Sequence, residues 1–198
     1  VSLTANTSYC WRGRYRNSNL TWSPWSTPLN FNTTPSNYIT GNLLLNGDAE
    51  SGISNWTGDI ESLTDNECGS VAVYQGTNFF AVGGVCANEQ DAGLAEQTID
   101  ISAFAVDIGD EKYYVEYSGY LRTWGSNNDL PEMYIEFLNA NNNVLGTSSI
   151  ISNAEPDWLL QSENEPIPFA TRTLRVILEG TRMAGTDNDS YFDTLSVR

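Results

Sequence analysis

The sequence predicts an all-β chain folded as an antiparallel β-sandwich of the jelly-roll kind, and three observations carry that expectation. Val115, Tyr117, Gly119 and Leu121, and again Leu174, Val176 and Leu178, place apolar residues at every second position. That period belongs to strands with one face buried. Turn-forming clusters such as Gly76-Thr77-Asn78, Asn139-Ala140-Asn141-Asn142-Asn143 and Asp187-Asn188 separate the apolar stretches. No segment shows a sustained helical period, and six Trp, ten Tyr and seven Phe against 17% charged residues suit many short strands joined by polar turns.

The first expected strand runs over 9–16, where Tyr9, Trp11, Gly13 and Tyr15 alternate with Cys10, Arg12, Arg14 and Arg16, aromatics on one face and cations on the other. After Trp22-Ser23-Pro24-Trp25-Ser26 a short strand ends in Leu29-Asn30-Phe31. Residues 1–34 resemble the last two strands of a fibronectin type III domain. Asn6-Thr7-Ser8-Tyr9 is similar to the tyrosine corner of those domains, and Trp22 to Ser26 is similar to their Trp-Ser-x-Trp-Ser signature. The resemblance implies that the arginines stack between the tryptophans and that their role is structural. A lone hairpin is marginal in water, so this one is expected to pack on the main domain, on a neighbouring domain or on another chain. Residues 35–42, with Pro35-Ser36-Asn37, read as a linker. Val1 reads as the middle of a longer chain.

From 43 to 198 the expected strands are 43–45, 70–75, 79–82, 95–101, 113–123, 133–138, 144–150, 158–163, 173–179 and 191–197. Val71-Ala72-Val73-Tyr74 and Phe79-Phe80-Ala81-Val82 flank the Gly76-Thr77-Asn78 turn, so they read as an antiparallel hairpin whose outer ends bring Cys68 and Cys86 together. A disulfide there implies an oxidising compartment, and two buried thiols are the alternative. Cys10 has no evident partner.

The whole of 43–198 resembles the galactose-binding-like jelly-roll domains that occur as carbohydrate-binding modules of secreted proteins. The resemblance rests on the opening Leu-x-Asn-Gly-Asp-Ala-Glu-x-Gly with Trp56 soon after, on Asn78 to Gly84, Gln97 to Ile101, Ser118 to Leu121 and Phe137 to Ala140, on Pro168 with Thr171-Arg172, and on the closing Asn188-Asp189-Ser190-Tyr191-Phe192-Asp193. It implies a structural Ca²⁺ held by Glu50 and Asp193 with Asp48 as a helper. Two carboxylates brought face to face repel, and a divalent ion with a preference for oxygen ligands reverses the sign. The alternative makes Asp48, Asp187 and Asp189 turn formers that bond their own backbones and pairs Glu50 with an arginine.

For a glycan, the best segment is Arg122-Thr123-Trp124-Gly125-Ser126-Asn127-Asn128-Asp129. Trp124 offers an aromatic face to a pyranose, while Arg122, Asn127, Asn128 and Asp129 offer groups that read hydroxyls, and Arg182 joins them if its loop folds nearby. Trp124 capping one end of the sandwich is the competing role. Other chemistry is constrained. The chain has no His, which removes Ser-His-Asp and Cys-His catalysis and His-ligated metals. Nine Lys plus Arg against 25 Asp plus Glu give a net charge of −16, which repels nucleic acid and anionic membranes, and no stretch has the length of a membrane helix. The expected function is therefore a noncatalytic module, secreted or at the cell surface, that binds a polysaccharide or a glycoprotein glycan. A structural spacer or adhesin module, contacting another protein through the N-terminal strands, is the alternative.

Overall fold

The structure is a computed structural model that describes residues 8–32, 41–108 and 113–198. The chain divides into two compact units, Val1–Ile39 and Thr40–Arg198. Asn6 and Thr7 of the expected tyrosine corner, and most of the expected linker, lie outside the described residues.

In the first unit, strands β1 (Ser8–Trp11) and β2 (Leu29–Asn32) pair antiparallel with Tyr9 opposite Phe31, and those two rings stack at 5.8 Å. The strand expected as far as residue 16 stops at Trp11, because serine hydroxyls take over part of the ladder. Gly13 N–H donates to Ser26 Oγ at 2.9 Å and Tyr15 N–H to Ser23 Oγ at 3.1 Å, while the Ser26 and Ser23 amides return bonds to the Gly13 and Tyr15 carbonyls. This pins Trp22 and Trp25 opposite the arginines. Arg14 lies 4.3 Å from the Trp22 ring and 4.4 Å from Trp25, with Arg12 4.8 Å from Trp25 and Arg16 5.5 Å from Trp22, a cation–π ladder.

The second unit contains β3 (Thr57–Gly58), β4 (Ile60–Thr64), β5 (Asn78–Val82), β6 (Ala92–Asp100), the short helix α1 (Ala105–Ile108), β7 (Tyr114–Arg122), β8 (Leu130–Leu138), β9 (Val144–Thr147), β10 (Ile151–Ser152), β11 (Leu159–Pro166), β12 (Thr173–Thr181) and β13 (Ser190–Val197). They form two antiparallel sheets. One has the order β10-β8-β12-β6-β3 with β9 added to β8, and the other has the order β11-β7-β13-β5-β4. In β7, β8, β12 and β13 an apolar phase faces the other sheet. Val115, Tyr117 and Leu121 of β7, Met133, Ile135 and Phe137 of β8, Leu174, Val176 and Leu178 of β12 and Phe192, Leu195 and Val197 of β13 form one core with Trp56 and Phe80. The all-β sandwich is the expected one.

Several strand boundaries differ from the expectation, for a common reason. Segment 70–75 is not a strand and does not pair with β5; β4, unrecognised in the sequence, takes that place. The amides of 73–75 find carboxylates instead of a ladder: Val73 N–H donates to Asp65 Oδ1, and the Tyr74 and Gln75 amides donate to Asp193 Oδ2. Segment 43–45 is not a strand either, since the Gln97 side-chain amide bonds both the N–H and the C=O of Leu45. Of the stretch 144–150 only Val144–Thr147 is strand, as β9, which ends where Ser148 Oγ accepts from the Ile135 amide; β10 begins beyond it, at Ile151. The Cys68–Cys86 disulfide is present with Cα atoms 5.4 Å apart, but no hairpin makes it. It ties segment 65–77 to the loop after β5, whose Val85, Cys86 and Ala87 amides all donate to the Glu61 carboxylate. Beneath it Leu63, Val71, Phe79, Ala81, Val85 and Tyr191 form a second small core on the outer face of the five-stranded sheet. Cys10 is free and exposed.

Candidate functional site

The polar phase of the strand alternation builds a surface that the sequence reading passed over as ordinary solvent-facing polarity. Strands β6, β12 and β8 lie side by side, and their registers align the side chains of this phase in rows, Asp100–Thr173–Leu138, Thr98–Arg175–Glu136, Glu96–Ile177–Tyr134 and Leu94–Glu179–Glu132, of which Leu138 and Ile177 are buried. Successive rows are two residues apart, about 6.7 Å along the strands. The Arg175 guanidinium bonds Glu136 directly across the strand pair and lies 3.8 Å from Glu96. The Tyr134 hydroxyl donates to Glu179 Oε2 at 3.2 Å. Burial and the Glu179 charge hold that phenol neutral, with its pKa pushed up to about 12. Burial, and then Glu179 opposite, raise the Glu132 pKa above the ordinary carboxylate value. Like charges directly opposite on a sheet are destabilising, and no cation pairs with Glu132 or Glu179 among the described residues.

The surface continues into a groove of about 680 Å³ lined by Thr98, Asp100, Asn139, Asn142, Arg172 and Arg175 among others. The Asn139 side chain closes the β8–β9 turn by accepting from the Asn141 and Asn143 amides. The Asp100 carboxylate accepts from Ser102 Oγ and N–H, which lowers its pKa. This is a shallow, polar, hydrogen-bonding trough. It can read hydroxyl groups along an extended ligand.

The sequence-predicted residues fall in two other places. In the β7–β8 loop Trp124 is 46% exposed and Asn128 is exposed. Asp129, in contrast, is fully buried. Its carboxylate accepts from the Met183, Ala184 and Asp189 amides at 2.7, 3.2 and 2.8 Å, so it joins the β7–β8 loop to the β12–β13 loop and presents nothing to a ligand. Asn127 Nδ2 donates to Asp189 Oδ2 at 2.9 Å and belongs to the same junction. Arg182 does sit on that second loop, but its guanidinium bonds Asp91 and the Thr186 carbonyl. Arg122 is half-buried, 5.6 Å from the Trp158 ring, and burial lowers its pKa. The structure thus brings the two loops together and leaves Trp124, Asn128 and the exposed Met183 as their outward-facing part.

Asp48, Glu50 and Asp193 form no cluster of three carboxylates close enough to hold a metal, and no such cluster occurs among the described residues. Glu50 pairs with no arginine. Its Oε1 accepts from the Thr77 and Asn78 amides at 2.7 and 2.9 Å, and those backbone bonds lower its pKa. Asp193 is fully buried, and burial raises its pKa despite the Tyr74, Gln75 and Thr194 donors. The two carboxylates therefore grip the same segment, 74–78, from either side. Asp48 is exposed and lines a cavity of about 360 Å³ with Asn46, Glu50, Gln75 and Gly76. Gly76, at φ +75°, is the close-approach position, since a Cβ there meets Glu50 Oε1 at 2.3 Å. Asn46, which the sequence reading left without a role, organises the opening motif by accepting from Ser51 N–H and donating to the Gly52 and Ser54 carbonyls. All the polar lining is oxygen and amide, the donor chemistry a hard cation accepts when backbone carbonyls and water complete its shell.

No protein-family model and no curated protein matches the sequence. Solved structures share its fold. A family 16 carbohydrate-binding module superimposes with a TM-score of 0.56 over 79% of this chain and 99% of its own, at 19% identity. The likeness is one of fold, an antiparallel β-sandwich. A xylan-binding domain of module family 22 gives a TM-score of 0.51 at 11% identity, over 80% of this chain and 94% of that one. The enzymatically active domain of tailspike protein 4 from bacteriophage CBA120 gives 0.55 at 16% identity, and there the match spans 84% of this chain but 22% of the other.

Proposed function

We propose that the unit 40–198 is a noncatalytic glycan-binding module of a larger secreted or cell-surface protein. The observation that carries this reading is the set of half-buried side chains Arg175, Glu136, Glu96, Tyr134, Glu179 and Glu132 in three adjacent rows of a sheet face that runs into a polar groove, in a fold shared with carbohydrate-binding modules. Carboxylates, a guanidinium and a neutral phenol in fixed register are hydrogen-bonding partners for sugar hydroxyls, and charge-assisted bonds of that kind are the strong ones. Trp124 at the joined loops serves as a second, stacking contact. The test is a glycan array probed with the wild-type chain and with Tyr134→Ala and Trp124→Ala. We expect Tyr134→Ala to lose most of the signal and Trp124→Ala to weaken it. Silence of the wild type across plant, algal and animal glycans overturns the reading.

Calcium is the proposed structural cofactor; because Asp48, Glu50 and Asp193 form no three-carboxylate cluster, Glu50 and Asp193 with Asp48 as helper would hold it only with backbone carbonyls and water completing the shell. The support is the buried Asp193 carboxylate, which has neutral donors but no cation partner among the described residues. Calorimetric titration of Ca²⁺ into chelator-treated protein is expected to show one site, and absence of heat at millimolar ion rules it out. The disulfide is consistent with an oxidising compartment. In the spacer or adhesin reading, the fibronectin-like hairpin contacts another chain. The exposure of Trp11 and Leu29, 55% and 57%, favours that contact.

A further inference from the structure

We infer that the outer face of the six-stranded sheet selects neutral, hydroxyl-presenting glycans and excludes polyanionic ones such as uronate or sulfated chains. The inference rests on the glycan-binding reading above and specifies its substrate class. The reason lies in how charge is distributed along the rows. Five carboxylates, Glu96, Asp100, Glu132, Glu136 and Glu179, belong to this face and its groove, against two guanidiniums, Arg172 and Arg175. Arg175 is already engaged by Glu136 and Glu96, and Arg172 lines the groove together with Asp100. Among the described residues Glu132 and Glu179 face each other with no cation, and the Tyr134 hydroxyl donates to Glu179.

Ionised carboxylates accept hydrogen bonds and cannot donate them. A pair of them in register asks its ligand for donors, which adjacent hydroxyls of a neutral sugar supply. A carboxylate or sulfate ester on the sugar supplies only further acceptors and further negative charge, and like-charge juxtaposition at an interface costs several kcal/mol. The carboxylate repulsion that weakens the sheet is thereby relieved on binding a donor-rich ligand. The net charge of −16 acts in the same direction at long range, so the local and global contributions have to be separated.

The experiment measures binding of the full 198-residue chain to a panel of neutral, uronate-rich and sulfated polysaccharides at low and at high salt. It includes a double variant on the face, Glu132→Gln with Glu179→Gln, and a control double variant outside it, Glu155→Gln in the β10–β11 loop with Glu163→Gln on β11 of the other sheet. Circular dichroism confirms folding of each. We expect neutral chains to bind with little salt dependence and polyanions at least about tenfold more weakly at low salt. The face variant should lose about tenfold for neutral chains and narrow the gap to polyanions, and the control should change neither. A polyanion bound as tightly as the best neutral chain overturns the selectivity and leaves glycan binding standing. Equal effects of the two double variants overturn the assignment to this face. No binding to any polysaccharide removes the glycan reading itself, and the selectivity with it.

Discussion

Asp129 shows how one buried carboxylate substitutes for secondary structure. It is fully buried and accepts three backbone amides from a loop more than fifty positions away in sequence. Removing the side chain leaves three donors in a place that water does not reach. Asp129→Ala is expected to cost about 3 kcal/mol of unfolding free energy, measured by urea titration, and to loosen Trp124 and Met183 together. A change below about 0.5 kcal/mol means that water replaces the carboxylate. Glu132 makes the opposite case, a carboxylate kept at some cost. Its folded pKa is raised, so the folded state holds the proton to higher pH than the unfolded chain does. The associated stability is present below the unfolded value and is lost as pH rises through the folded one. Glu132→Gln should therefore stabilise by about 0.5 kcal/mol at pH 7, with the advantage shrinking towards pH 4. Equal stabilisation at both pH values shows that charge repulsion is not its source.

Elements with a buried phase were legible in the sequence, because alternation alone places Val115, Tyr117 and Leu121, or Leu174, Val176 and Leu178, towards a core. The same alternation carried the proposed binding face in its other phase. Glu132, Tyr134 and Glu136, with Arg175 and Glu179, become a surface only when the register of three strands is known, and register is set by long-range pairing that no local window contains. Segment 70–75 misled for a related reason. Val71, Val73 and Tyr74 have the composition of a strand, but the partner of the Tyr74 amide is a side chain 119 positions away. Cys68 and Cys86 were paired correctly on a wrong hairpin, since proximity was right and topology was not. That disulfide closes a loop with a sequence separation of 18, which in the chain-entropy account is worth about 3 kcal/mol. Reduction should lower the urea midpoint accordingly and free segment 65–77 to early hydrogen exchange. An unchanged midpoint indicates that Asp65, Asp193 and Glu50 suffice to hold the segment.

The second unit closes on itself at a single corner. Leu43 N–H donates to the Val197 carbonyl, Val197 N–H to Asn42 Oδ1, and Leu195 N–H to the Gly47 carbonyl. Gly47 is required there because a Cβ meets Leu195 O at 2.3 Å. The acidic opening motif and the last strand meet in this way whether or not a cation lies between them. At the whole-molecule scale the sandwich leaves the proposed binding face on one sheet and carries a disulfide-tied cover on the other. The chain enters and leaves beside the same bonds, so a pull on the two ends of the unit loads those bonds one after another, as a zipper is opened, and never the sheets in shear. Single-molecule stretching should find that this unit yields at low force, as suits a pendant hook hung beside a load path, and a high unfolding force would favour a link within a tensioned stalk.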